Sequence, residues 1–191
     1  NADGTATVVE GNPDIGGSRA SISMMAAEEL DIPYEDVRTT IADTGSLGFN
    51  NVTDGSRVTF AVGLATINAA RAVKAEMCAR VAKIWGIDED AVEWVDGCVT
   101  PAGPNAGEFP PMTLAEIAAV SSQTGGPIAG HHEVNVDGAG VGFGVHVADV
   151  EVDPETGFVS TKRHTVFQDV GRAISPDYVE GQMQGAAVQG I

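Results

Sequence analysis

The sequence has few cysteines and few basic residues, and each shortage excludes a class of protein. Two cysteines among 191 residues, neither in a C-x-x-C pair, exclude a disulfide-rich scaffold and indicate reduced structural thiols. Lys and Arg together number 10 against 27 Asp and Glu, so the net charge of −17 would repel nucleic acid and an anionic membrane surface. An anionic ligand must therefore be held by local donors rather than by the field of the whole protein.

Long hydrophobic runs are also missing. No apolar run approaches the length of a transmembrane helix, and no signal peptide is apparent at Asn1, so we expect no membrane span and a cytoplasmic protein. The chain starts without Met and stops at Ile191 inside a glycine-rich segment, so we expect a piece of a longer protein.

Several common motifs for catalysis and binding are absent. There is no P-loop and no G-x-S-x-G elbow, and the glycine run at 138–144 lacks the third glycine of the dinucleotide fingerprint. His131 and His132 are adjacent, and His146 and His164 have no partner at ligand spacing, so no metal ligand is predicted. The acidic groups are most simply solvated faces and turn residues.

The remaining composition is that of a folded domain. Hydrophobic residues are 43% and charged residues 19% of the chain, which is typical of a globular protein. The order of elements predicts an α+β fold, with mixed strands packed by amphipathic helices, as one domain over residues 1–191.

An extended apolar run, Thr5 to Val9, leads into a glycine turn and then into an amphipathic helix. At Gly16 and Gly17 no Cβ would keep a ligand away from the main chain. Ser18 can cap the helix or donate its hydroxyl, and Arg19 supplies a forked cation. Because a helix N-terminus presents free N–H groups and the positive end of its dipole, this stretch predicts an oxyanion or phosphate site. On local pattern alone, a tight turn with a serine cap is the commoner explanation.

A second Gly-Ser-Arg tripeptide, Gly55-Ser56-Arg57, precedes the longest predicted helix, which runs from about Thr59 to Trp85. It follows a loop, residues 42–54, whose small polar side chains are typical of functional or mobile segments. One such tripeptide would be weak evidence, but two that precede two helices are informative. Two helix N-termini directed at one place would form a site for a diphosphate-like group.

The rest of the chain is predicted to contain short antiparallel pairs. Residues 92–99 and the turn at 153–157 are typical of hairpins, and a capping box opens a short helix at Thr113. A change in the apolar alternation predicts a β-bulge near Ala148-Asp149.

The last predicted helix begins at Ser175-Pro176 and carries Gly181 and Gly185 on one face. Because glycine in a helix interior costs about 1 kcal/mol relative to alanine, a neighbouring helix or a ligand must approach that face closely. Helix packing is the commoner reason. Gln182 beside this face is a neutral donor and acceptor.

Five segments occur in an order that is typical of one family. They are Val9 through Gly16-Gly17 to Ile32-Pro33, Ala42-Asp43-Thr44, Gly55-Ser56-Arg57-Val58-Thr59, Val150 to Gly157, and Asp169-Val170-Gly171-Arg172 through Ser175-Pro176 to Gly190. In these segments the chain resembles the C-terminal molybdopterin-binding domain of the large subunit of molybdenum hydroxylases, the xanthine dehydrogenase/aldehyde oxidase family. The resemblance covers essentially the whole chain, and its last segment is highly specific.

This resemblance implies part of an enzyme that hydroxylates an aldehyde or N-heterocycle C–H carbon with oxygen from water. It implies a molybdenum-molybdopterin cofactor, in dinucleotide form, with iron–sulfur clusters and often FAD on other domains or subunits. The implied partners are the remaining half of the molybdenum-binding region, the iron–sulfur and flavin subunits, and a small-molecule substrate. The implied cofactor-binding residues are Gly16, Gly17, Ser18, Arg19, Gly55, Ser56, Arg57, Thr59, Gly181 and Gln182.

The chain departs from the family pattern in two places. The first motif of the family usually reads Gly-Gln-Gly, whereas Ile15-Gly16-Gly17 lacks the glutamine. The family's catalytic base is a glutamate downstream of the Gln182 helix, and the chain ends before it, so no catalytic residue is predicted here and the fragment alone should be inactive. Two alternatives remain open: a non-hydroxylating relative that kept the cofactor site, and an acidic, non-enzymatic interaction module.

Overall fold

The structure is a computed structural model of the chain and describes residues 1–136 and 141–191. The chain divides into two compact units, Asn1–Asp137 and Gly138–Ile191. In the described residues the first unit contains β1 (Ala6–Glu10), α1 (Ser18–Leu30), β2 (Val37–Ile41), α2 (Val58–Trp85), β3 (Val92–Val95), β4 (Cys98–Pro101), β5 (Met112–Thr113), α3 (Leu114–Ala119) and α4 (Ser121–Thr124). The second contains β6 (Phe143–Val152), β7 (Val159–Asp169) and α5 (Pro176–Gly190). This mixture confirms the predicted α+β class, while one domain over 1–191 stays a prediction.

Strands β1 and β2 are parallel neighbours. Their register pairs Ala6 with Val37 and Glu10 with Ile41, and α1 lies in the connection between them. Since the carboxyl ends of parallel strands lie at one edge of a sheet, the turn before α1 and the loop before α2 leave from the same edge.

Helices α1 and α2 pack side by side and run in the same direction. Met25 of α1 contacts Gly63 of α2, and one turn further along α1 Glu29 forms ion pairs with Arg71 and Lys74 at 3.3 and 2.6 Å. Contacts that advance along both helices together require parallel axes. Both helices therefore begin at the same end of the pair.

Small side chains on α2 make this packing possible. The large apolar residues Phe60 and Leu64 are 47% and 39% exposed. Beyond Val58, the buried residues of this half of α2 are Ala61, Gly63, Thr66 and Ala70. Close approach of two helices requires such small residues.

The main core of the first unit lies between the second half of α2, the three-stranded sheet and α3. Its buried members are Leu30, Ala70, Met77, Val81, Val99, Leu114 and Ile117. The predicted hairpin turns at Asp96 and Gly97, with φ of 47° and 75°. The predicted capping box is present as well: Glu116 N donates to Thr113 Oγ1 at 3.2 Å, and Thr113 N donates to Glu116 Oε2 at 2.8 Å.

Both cysteines are free thiols, as predicted, in α2 and β4. Burial raises the pKa of the Cys78 thiol, which disfavours the reactive thiolate. Within the described ranges, none of the helices combines the length and the apolarity that crossing a bilayer requires.

The second unit consists of a long antiparallel hairpin followed by α5. The predicted bulge is confirmed, because the register shifts between Asp149 and Val150. Ser175 occupies the N-cap position of α5 as predicted, but its side chain makes no capping hydrogen bond. Residues 138–140 of the glycine run lie outside the described residues.

Candidate functional site

The first glycine turn folds as a left-handed pair of residues that opens α1. Gly16 has φ of 64° and Gly17 has φ of 71°, a region that residues with a Cβ rarely adopt. Ala20 N and Ser21 N donate to Gly17 O at 3.1 and 3.3 Å, which closes the first helical turn. The two glycines are therefore required by the backbone geometry of the turn.

Ser18 and Arg19 differ in detail from the sequence expectation. Ser18 does not cap α1: its side chain is 3% exposed, and its Oγ has no hydrogen-bond partner in the described part of the chain. Arg19 forms an ion pair with Asp14 at 3.0 Å, and Arg19 N also donates to Asp14 Oδ1 at 3.1 Å. The Asp14 carboxylate thus lies at the N-terminus of α1, a role that the sequence analysis missed.

The second glycine turn is more open. Gly55 and Ser56 have φ of 61° and 57°, and a Cβ at Gly55 would meet no atom within 4 Å. Arg57 holds the turn against the preceding loop by donating from Nη1 to Val52 O at 3.2 Å. Helix α2 has no side-chain cap and no acidic residue in its first turn, and Thr59 there is exposed. Its first N–H groups are therefore free to receive an anion.

A buried polar network ties the loop before α2 to the end of β1. Asn12 is fully buried; its Nδ2 donates to Thr53 Oγ1 at 3.0 Å and its Oδ1 accepts from Asn50 Nδ2 at 2.5 Å. Asn12 N in turn donates to Glu10 Oε2 at 2.6 Å. The network fixes Thr53, two residues before Gly55, relative to the first turn. No local sequence pattern reveals the network, since the partners of Asn12 lie 38 and 41 residues away.

Glu10 is the ionisable member of this network. It is 7% exposed, and its Oε1 is buried without a hydrogen-bond partner among the described residues. Burial raises the pKa of the Glu10 carboxyl, and the charge of Asp14 adds to the effect, while the hydrogen bond from Asn12 opposes it. Folding therefore shifts the equilibrium of Glu10 toward its protonated form relative to the unfolded chain.

A cavity of about 230 Å³ lies beside this network. Its lining residues are Gly11, Thr44, Leu47, Gly48, Phe49 and Asn50. Phe49 is 94% exposed, so the loop presents an aromatic ring to solvent next to the cavity. The predicted long loop is present, without helix or strand between β2 and α2.

Gly181 and Gln182 lie on α5 in the second unit, and both are exposed. A Cβ at Gly181 or Gly185 would meet no atom within 4 Å among the described residues. Both explanations for the two glycines, a neighbouring helix or a ligand, stay predictions.

The two turns thus begin neighbouring helices at one end of the first unit. The sequence profile of the molybdopterin cofactor-binding domain family matches residues 1–191. The chain belongs to this family. The resemblance to molybdopterin-binding domains that the sequence motifs indicated is thereby confirmed.

The similar proteins include large subunits of a hydroxylase and of a dehydrogenase. The chain is 26% identical over 197 residues to the nicotine 6-hydroxylase large subunit of Paenarthrobacter nicotinovorans, covering 98% of this chain and 24% of the relative. It is 28% identical over 177 residues to the carbon monoxide dehydrogenase large chain of Afipia carboxidovorans, covering 91% and 22%. A crystal structure of the Cu,Mo-CO dehydrogenase matches with a TM-score of 0.73 and 27% identity over 97% of this chain and 24% of that one. The chain therefore spans about a quarter of the length of these relatives.

Proposed function

We propose that the chain is the part of a molybdenum-cofactor oxidoreductase large subunit that binds the diphosphate-bearing portion of the pterin cofactor. The observation that carries the proposal is that α1 and α2 begin at the same end of the first unit, each after a glycine turn. Gly16, Gly17, Ser18 and Arg19 would form one wall of the site. Gly55, Ser56, Arg57 and Thr59 would form the other.

The turn before α2 fits an anionic group on physical grounds. The uncapped N-terminus of a helix carries roughly half a positive charge and up to four free N–H donors. No acidic side chain in the first turn of α2 competes for these donors. Because Gly55 has no side chain, a phosphate oxygen can approach the backbone of the turn. This local attraction is needed in a chain with a net charge of −17.

The turn before α1 adds side-chain donors. The Ser18 hydroxyl is buried and unpartnered in the described chain, so a polar ligand atom would satisfy it. Arg19 has five N–H donors, of which the contact with Asp14 uses only part, and the remainder can donate to a phosphate. The Asp14 carboxylate would orient Arg19 rather than neutralise the whole site.

The cofactor, when bound, supplies the redox chemistry for hydroxylation of an aldehyde or N-heterocycle C–H carbon with oxygen from water. This chain holds and orients it, with Gln182 and Gly181 on α5 as the contact for the pterin edge. We assign it the dinucleotide form because two separate anion-binding turns are available. The nicotine 6-hydroxylase and carbon monoxide dehydrogenase relatives support the assignment to an oxidoreductase. We place the full protein in the cytoplasm, with iron–sulfur and flavin subunits as partners.

Two glycines at opposite ends of α2 provide the test. Gly55 and Gly86 both have positive φ, 61° and 72°, and both face open space. Gly55→Val and Gly86→Val introduce similar backbone strain, but only the first fills the space beside the anion-binding turn. In the full-length protein, expressed in a host that makes the cofactor, molybdenum and pterin content should fall in Gly55→Val and stay near the wild-type level in Gly86→Val. Equal loading of both variants would overturn the assignment.

The same preparations separate the alternative functions. A folded wild-type protein with its partner subunits and no molybdenum would indicate the interaction module. Near-stoichiometric molybdenum without substrate-dependent dye reduction would favour the non-hydroxylating relative, for which the glycine at position 16 in place of the usual glutamine is the motivating observation.

A further inference from the structure

Two histidines meet on the hairpin of the second unit, away from both glycine turns in the sequence. His146 Nδ1 and His164 Nε2 are 3.0 Å apart, although 18 residues separate them in the chain. The strand register places His146 opposite Val166 and Ala148 opposite His164. The two imidazoles are therefore diagonal neighbours on one face of the β6–β7 ladder.

Neither histidine has a partner at the short spacings along the chain that are typical of metal ligands. Cross-strand pairing joins residues at any spacing that the hairpin allows. Within residues 1–136 and 141–191, no cluster of three or more His, Cys, Asp or Glu side chains is arranged to hold a metal ion. A metal ion bound to the pair would therefore have two protein ligands, and water would supply its other ligands.

The distance between the two nitrogens matches that of two ligands on one metal ion. Imidazole nitrogens bind Zn²⁺ at about 2.0–2.1 Å, and neighbouring ligands in square-planar or tetrahedral geometry then lie about 2.9–3.4 Å apart. The observed 3.0 Å falls within this range. In the metal-free pair one ring donates a proton to the other; a bound ion would replace that proton and accept both lone pairs.

The surroundings do not oppose a cation. Arg163, adjacent to His164, is paired with Asp149 at 3.0 Å, and Lys162 is paired with Glu151 at 2.5 Å. Both basic side chains are thus balanced by a carboxylate on the facing strand. His146 is exposed, so water can supply the remaining ligands, and the ladder on both sides holds the two imidazoles close before an ion binds.

We propose that His146 and His164 form a binding site for a divalent transition-metal ion of the Ni²⁺, Cu²⁺ and Zn²⁺ class, built from residues other than those proposed to hold the cofactor. Imidazole suits these ions, whereas Mg²⁺ and Ca²⁺ require oxygen ligands. The order of affinity should follow the general order for nitrogen ligands, with Cu²⁺ above Ni²⁺ and Zn²⁺.

The test uses Ni²⁺, because nickel is counted independently of molybdenum and iron. The full-length protein with its partner subunits is dialysed against a series of Ni²⁺ concentrations, and bound nickel is measured by mass spectrometry. We expect one site that His146→Ala and His164→Ala each weaken by at least about tenfold, since either change leaves a single ligand. His164→Gln keeps a hydrogen-bonding side chain but lacks the imidazole, and it should lose the site to the same extent.

His131→Ala is the matched control, because His131 is an exposed histidine of the first unit, 3.6 Å from Glu133. It should leave nickel uptake unchanged. The proposal is overturned if the wild type binds no more nickel than the double variant of His146 and His164, or if His131→Ala removes the site instead. Full nickel affinity in His164→Gln would also overturn it. If an alanine variant proves unstable, the glutamine variant alone decides the question.

Discussion

Met25 of α1 lies over Gly63 of α2, with its Sδ 2.5 Å and its Cε 3.0 Å from the position that a Cβ at residue 63 would occupy. Gly63 therefore sets how closely the two helices pack. Glu29 continues the contact through its ion pairs with Arg71 and Lys74. Because both helices begin at this end with a glycine turn, the contact at residue 63 also fixes the distance between the two turns.

Enlarging Gly63 should separate α1 from α2. We expect Gly63→Leu to reduce the free energy of unfolding by about 1–3 kcal/mol, since the new side chain must displace Met25. Gly63→Ala should be better tolerated, because the end of Met25 is flexible and alanine favours the helix by about 1 kcal/mol. Urea unfolding followed by tryptophan fluorescence measures both, as Trp85 and Trp94 lie in the first unit. Partial recovery in Gly63→Leu with Met25→Ala would confirm the contact, and a stable Gly63→Leu would contradict it.

Removing the Asn12 side chain should release the loop before α2. Asn12→Ala loses the hydrogen bonds to Asn50 and Thr53 and leaves a buried gap, which should cost about 1–3 kcal/mol of stability. Limited proteolysis should then cut residues 42–57 faster than in the wild type. Asn51→Ala is the control, because Asn51 is exposed and, within the described ranges, its side chain accepts a hydrogen bond only from the adjacent Val52 N. Equal cleavage of the two variants would mean that Asn12 does not hold the loop.

Local features of the fold could be predicted from the sequence with good accuracy. Helix α2 was predicted within one residue of its start at Val58 and to its end at Trp85. The hairpin over residues 92–99 and the capping box at Thr113 were also correct. These features depend on residues within a few positions of one another, and such patterns are visible in a single sequence.

The features that could not be predicted join residues far apart in the chain. The contact of Met25 with Gly63, the bonds of Asn12 and the pairing of His146 with His164 each depend on tertiary packing or strand register. For the glycine turns, the residues were found from the motifs, while the carboxylate at the start of α1 was not. Asp14 lies only five residues before Arg19, so an acidic side chain near a helix start is the signal that could have revealed it.

Substitutions at Gln182 and Gln184 on α5 distinguish the loss of a cofactor contact from a general effect on the helix. The two glutamines are two residues apart, so the helix turns about 200° between them and their side chains lie on nearly opposite faces of α5. Both side chains are exposed. If Gln182 contacts the pterin as proposed, Gln182→Ala in the full-length protein should lower molybdenum occupancy, because a polar edge of the pterin would lose a partner worth about 1–3 kcal/mol. Gln184→Ala should retain the wild-type molybdenum content. Unchanged occupancy in Gln182→Ala would count against Gln182 as a ligand contact.

The buried Glu10 carboxyl should contribute less to the stability of the chain as pH rises above 4.5. Its pKa is raised above the ordinary value of 4.5 by burial, so the folded state keeps a proton over a range in which the unfolded chain has lost it. By linkage, the contribution of Glu10 to stability is greatest below 4.5 and falls as pH rises through the raised pKa. Glu10→Gln, which has no ionisable group, should lack this decrease. The stability of Glu10→Gln relative to wild type should therefore increase with pH above 4.5 and stay level below it.

Glu116 provides a control, because its pKa is shifted in the opposite direction from that of Glu10. The N–H and hydroxyl of Thr113 bond to its carboxylate and lower the pKa of Glu116. Its contribution to stability is present above the ordinary value of 4.5 and is lost as pH falls through the lowered pKa. Chemical denaturation of the wild type, Glu10→Gln and Glu116→Gln gives the free energy of unfolding at pH values below and above 4.5. The stability of each variant relative to the wild type, plotted against pH, should slope upward above 4.5 for Glu10→Gln and downward below 4.5 for Glu116→Gln. For Glu10→Gln relative to wild type, a flat difference curve would show that Glu10 titrates alike in the folded and unfolded chain, contrary to its burial beside Asn12.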